Sequence, residues 1–172
     1  MKIRRRRLSD GYNFDFIACV NGCIFLMLFA AVALVQDRRL FKSAPKDIQA
    51  AVLEHKEPFR GARVIGWILL IIAVLTLPAA FLYGAWDGIR HDFTFWQFAA
   101  RFWTMLYLLK AFDMICFDWF LLTKSHFYQH FYPETEGCQG YRKFGFNLKE
   151  QLIRLIVYPF VAWIMAWVCT LL

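Results

Sequence analysis

Between Arg63 and Asp87 the chain carries no charged side chain, and Thr76 is the only polar residue between Ile65 and Leu82. About twenty apolar residues in one run, rising 1.5 Å each, match the ~30 Å hydrocarbon core of a bilayer. A soluble helix of this length carries a polar stripe at helical spacing, and this one has none. Three more apolar runs share the chain, about 14–35, 93–122 and 148–172, so the excess is gathered rather than scattered. Overall 60% of the 172 residues are hydrophobic, against roughly 45–50% in soluble domains. The expectation is an all-α integral membrane bundle of about four transmembrane helices. It forms a single membrane domain over 1–172, with helices near 14–35, 64–83, 93–122 and 148–172 and connectors at 36–63 and 123–147. No internal repeat or interdomain linker interrupts it.

The net charge of +7 sits beside the apolar runs. That placement points to topology signals and anionic lipids rather than to nucleic acid, for which no recognition motif is present. Arg4, Arg5, Arg6 and Arg7 head the first run. That head and core also resemble a signal peptide, with Ala31-Val32-Ala33 as a small-residue cleavage site, but the run's length favours a retained helix. Asn21-Gly22 near its middle offers either a polar contact to a neighbouring helix or the break of a re-entrant hairpin. The 36–63 connector reads as a short amphipathic surface helix after the first span. Ser43 would cap it, Pro45 would open it, and Ile48, Ala51 and Val52 would share its lipid-facing side. Pro78 and Pro159 fall inside the second and fourth spans. Asp87-Gly88 reads as a turn in a loop over 84–92. Asn147 with Glu150 reads as a capping box at the start of the last helix.

Orientation is ambiguous. The head and the 84–92 loop carry six Lys or Arg, and the two connectors together with Lys149 just after them carry eleven. The positive-inside rule places the connectors in the cytoplasm and strands the Arg4–Arg7 head outside, unless the first segment is re-entrant.

Few residues carry chemistry. Lys110 and Asp113 are neighbours on one helix face, an intramembrane ionisable pair that serves either packing or an ion path. Asp118 lies roughly 140° round an α-helix from Asp113 and reads as an interfacial residue beside Trp119. His126 and His130, four apart, have the spacing of two helical metal ligands, with Glu136, Cys138 or Asp118 as a third. Phe127 stands where a zinc-protease helix has its glutamate. Asp118, His126, His130, Glu136 and Tyr141 are the candidate catalytic set for a membrane enzyme acting on a lipid or lipid-linked substrate. Of five cysteines, Cys19, Cys23, Cys116 and Cys169 lie within apolar runs as small hydrophobes. The odd number and scattered spacing give no disulfide framework. No cofactor motif is present.

The segment with Asp113, Asp118-Trp119, Thr123-Lys124-Ser125-His126-Phe127, Pro133-Glu134-Thr135-Glu136-Gly137-Cys138, Gly140-Tyr141 and Phe144-Gly145-Phe146-Asn147 resembles a class of small polytopic bacterial membrane proteins. Members carry Pro-Gly-Thr-Glu in the turn, and His where this chain has Asn147. The resemblance implies a bacterial, multi-pass cell-membrane protein, in the inner membrane, and supplies no catalytic residues. The leading expectation is therefore a non-enzymatic accessory or small subunit of a membrane complex, with a membrane-protein partner or a homo-oligomer. The alternatives are the lipid-directed enzyme above and an oligomeric ion or proton channel using Lys110 and Asp113.

Overall fold

A computed structural model describes residues 20–143 and 145–172. The basic head with Arg4–Arg7, Cys19, the beginning of the first apolar run and Phe144 lie outside the described residues. What is described is helical, without a strand. Helix α1 spans Val20–Val35, unbroken through Asn21-Gly22, and its last turn over Ala30–Val35 is π-helical. A 3-10 turn at Arg38–Ser43 leads to α2, Lys46–Ala51. Helix α3 is Ala62–Arg90 and α4 is Phe95–Phe112. Helix α4 continues without interruption into a π-helical segment, Asp113–Lys124. Short α5, Phe127–Phe131, and two 3-10 turns fill the last connector before α6, Leu148–Leu171.

Helices α3 and α6 are long and apolar enough to cross a membrane, and only 17% of the apolar window of each is buried. Their packing is inverted relative to a soluble helix. The buried residues of α3 are Ala62, Gly66, Ala73, Ala80, Gly84 and Gly88, while Ile71, Leu75 and Leu82 face out. In α6 the buried positions are Gln151, Ala162, Ala166 and Cys169, with Trp163 and Trp167 outside. Small residues inside let helix backbones approach closely, which is how helices pack when lipid removes the drive to bury large side chains.

Close approach also corrects the expected loop over 84–92. Helix α3 runs on through Asp87-Gly88 to Arg90. Gly88 is not a turn residue: a Cβ there would stand 2.3 Å from Phe98 Cε1, so glycine makes room for the ring. Asp87 Oδ2 accepts Arg101 Nη1 at 2.7 Å and ties the two helices at that end. The cap of α4 is a Thr94–Gln97 capping box, which the sequence reading passed over. The expected Asn147–Glu150 box does not form. Asn147 holds the N-cap position of α6 without a side-chain cap bond, and Glu150 instead lies 3.9 Å from Arg154.

Helix α2 differs from expectation too. Ser43 closes the 3-10 turn and Pro45 occupies the N-cap. The apolar side of α2 does not face lipid: Ile48 and Val52 are each 1% exposed, in a cluster with Phe41, Tyr132 and Tyr141. The two connectors fold on one another around a shared core. Connector 123–147 brings Tyr132 and Tyr141, connector 36–63 brings Phe41, Ile48 and Val52, and polar bonds lock them. Glu134 Oε1 accepts from Leu53 N at 3.0 Å and contacts His55 Nε2 at 2.9 Å. Asp47 Oδ2 accepts from Gly140 N at 2.6 Å.

Candidate functional site

The π-helical ladder of Asp113–Lys124 builds the site. In an α-helix each residue turns about 100°, so five residues place Asp118 well away from Asp113. An i→i+5 ladder turns less per residue and returns the fifth residue close to the starting face. Asp113 and Asp118 consequently line one cavity of about 220 Å³. This corrects the reading of Asp118 as a residue apart from the Lys110–Asp113 pair. Trp119 does face outward, 44% exposed.

The cavity lies where the bundle meets the folded connectors. Leu28 and Val32 of α1, Phe117 of the π segment and Phe41 and Ile48 of the first connector form its apolar wall. Its polar wall is Asp113, Asp118, Glu150, Gln151 and Arg154, with Tyr128 and Asn147 beside them. Lys110, only 2% exposed, donates to Asp113 Oδ2 from one helical turn earlier. A buried ammonium persists only with such a partner. Gln151, in the first turn of α6, donates from Nε2 to Asp118 Oδ2 at 2.8 Å. Its Oε1 is buried and accepts no hydrogen bond among the described residues. Glu150 and Arg154 stand at the more open side, both largely exposed.

The other sequence-derived candidates do not converge on this cavity. His126 is exposed at the N-cap of α5, its Nδ1 2.6 Å from Gln129 Oε1. His130 is exposed and meets the edge of Phe131. Glu136 is exposed, and Cys138 Sγ lies 3.9 Å from the Asp47 carbonyl. Burial, and then the Asp47 carboxylate, push the Cys138 thiol up from its ordinary value, away from the thiolate that metals take. No three His, Cys, Asp or Glu side chains among the described residues are grouped to hold a metal. Tyr141 is buried, and its hydroxyl lies 2.6 Å from Thr135 Oγ1. Burial drives its phenol upward, and the Thr135 bond only partly offsets that. Of the candidate catalytic set, only Asp118 lines the cavity.

Sequence reasoning missed Gln151, His55 and Glu134. Burial raises the Glu134 carboxyl. The N–H groups of Leu53 and of Glu134 itself, with the His55 ring, outweigh that and hold it below the usual carboxylate range. Chemically, the cavity offers oxygen acceptors on one side and hydrocarbon on the other. Among the described residues its lining contains no Ser, Cys or His, and burial pushes the Tyr128 phenol up from its ordinary value. Such a lining can hold a donor or a cation; among the described residues it pairs no Ser or Cys with a His. No protein-family model, curated protein or solved structure matches this chain.

Proposed function

We propose that the chain is a multi-pass cell-membrane protein with four membrane-crossing helices, α1, α3, α4 with its π extension, and α6. In this reading it works by binding, not by catalysis, as a small accessory subunit of a membrane complex. The inverted packing of α3 and α6 supports the membrane placement: their outer faces are more apolar than their inner ones. The observation that carries the binding reading is the separation of the acid–base candidates. His126, His130 and Glu136 stand exposed on the connector, while the carboxylates converge on a cavity lined by no Ser, Cys or His among the described residues. The Lys110–Asp113 pair is closed on itself, which favours a packing role over an ion path.

The test has two parts. Alkaline carbonate extraction of expressed membranes leaves the chain in the pellet; release into the supernatant overturns the membrane reading. Photo-crosslinkers placed at the exposed His130 and Glu136 in native membranes give one dominant membrane-protein adduct, stoichiometric after purification. A protein that stays monomeric and uncrosslinked at both positions, or that turns over a lipid in an Asp118-dependent way, overturns the accessory reading.

A further inference from the structure

The cavity between bundle and connectors has an unmet demand for a hydrogen-bond donor. Gln151 is 7% exposed and commits Nε2 to Asp118 Oδ2 at 2.8 Å, while its Oε1 accepts nothing among the described residues. A buried amide oxygen without a donor is costly, and native structures rarely leave one so. The charges carry a matching imbalance. Asp113 is answered by Lys110, and Glu150 has Arg154 at 3.9 Å. Asp118, the third carboxylate of the lining, is hydrogen-bonded among the described residues to the neutral Gln151 amide, and Lys110 and Arg154 act on it only from beyond ion-pair contact. One positive, donor-bearing group would meet both the charge and the open acceptor.

We infer that the cavity takes a primary ammonium group carried on an amphiphile. Its N–H bonds go to Asp118 and, once the amide turns to present it, to Gln151 Oε1, and its hydrocarbon lies along Leu28, Val32 and Phe117. A quaternary ammonium has no N–H to give Gln151. A bare sodium ion would leave the apolar wall unused. Two sources present the ammonium: an aminophospholipid such as phosphatidylethanolamine, whose phosphate would meet the exposed Arg154 guanidinium at the rim, or a free long-chain amine. The inference rests on the membrane reading above and names the ligand class of that same site.

The test reconstitutes the full chain into nanodiscs holding equal phosphatidylethanolamine, phosphatidylcholine and phosphatidylglycerol, and counts lipids retained after mild detergent by native mass spectrometry. Phosphatidylethanolamine is retained about tenfold over phosphatidylcholine, the factor a charge-assisted hydrogen bond gives. Asp118→Asn and Gln151→Leu abolish the preference, while Asp87→Asn, at the other end of the bundle, keeps it. Octadecylamine displacing the lipid only when Asp118 is intact identifies the ammonium as the recognised group. An Arg154→Gln variant that loses phosphatidylethanolamine but keeps octadecylamine assigns the source to the phospholipid. Wild type alone, run against N-methyl and N,N-dimethyl phosphatidylethanolamine, reads the same demand should a variant fail to fold, with retention falling as N–H groups are lost. A flat methylation series, a preference that survives Asp118→Asn, or displacement by sodium at constant ionic strength overturns the inference. Failure to reconstitute counts against the membrane reading instead.

Discussion

Lys110 depends on a single neighbour. Its ammonium is 2% exposed and its partner is Asp113, itself only half-buried. Removing the carboxylate leaves a buried charge uncompensated, which costs roughly 3–5 kcal/mol, whereas replacing both partners by apolar residues is near neutral or stabilising. Asp113→Ala therefore lowers the unfolding midpoint in detergent sharply, and the Lys110→Met/Asp113→Leu double variant restores it to wild type or above. At the connector lock, the bonds to Glu134 favour its charged form, so its folded-state value lies below the unfolded one. The stability it lends is complete above the ordinary carboxylate range and is lost as pH falls through the depressed value. The Leu53 amide proton, whose N–H donates to Glu134 at 3.0 Å, reports this by NMR. Its shift titrates below the ordinary range in wild type and is flat in Glu134→Gln. The sequence shows these residues unevenly. Lys110 and Asp113 are legible because three-residue spacing pairs them on any helix. Gln151 is not, because an amide in a first helical turn reads as solvated. His126 and His130 have ligand spacing, but the helix starts after His126, and the spacing has no shared face to act through.

Elements show where the sequence tells more. Proline at 159 removes the donor that would bond the carbonyl of Leu155, four residues back. Tyr107 Oη donates to that carbonyl at 2.7 Å, so α4 repairs the break in α6. Tyr107→Phe leaves the carbonyl unsatisfied in an apolar setting and lowers stability by about 1–3 kcal/mol, read by thermal unfolding in detergent. A wild-type midpoint in that variant rejects the repair. At Gly66 a Cβ would stand 2.7 Å from Val35 Cγ2 and 3.1 Å from the Val35 backbone nitrogen, whereas at Gly22 nothing lies within 4 Å. Gly66→Ala separates α1 from α3 at a cost of about 1–3 kcal/mol, and Gly22→Ala in the same assay is neutral or mildly stabilising. Helix existence followed from apolar runs, and the extents did not. The expected loop at Asp87-Gly88 is helix because the glycine answers to Phe98, a neighbour distant in sequence. The π ladder left no mark at all, since the same residue types fit either ladder and only the backbone register decides whether Asp113 and Asp118 meet.

For the molecule as a whole, the two connectors constrain one another. Ile48 and Val52 from one and Tyr132 and Tyr141 from the other share a core, so the C-terminal end of α1 and the start of α6 emerge on one side. The same side then holds the N-terminal end of α3 and the C-terminal end of the π segment. The ten Lys and Arg of the connectors, with Lys149, are thus gathered on a single face, which under the proposed membrane reading the positive-inside rule would assign to the cytoplasm. The His91–Thr94 junction, beyond the Asp87–Arg101 pair, lies at the far end of α3, about 43 Å of helix away by rise per residue. That arrangement predicts a labelling pattern. In a background with the five cysteines replaced, Lys46→Cys and Arg142→Cys, both at exposed positions, react with a membrane-impermeant maleimide only when the cytoplasmic face is open. His91→Cys, likewise exposed, reacts only from the opposite face. Lys46→Cys and Arg142→Cys reacting from different faces would separate two connectors that share one core and defeat the arrangement. All three reacting from one face would instead mean that α3 and α4 enter and leave without crossing, and the four-helix reading would give way to a re-entrant one.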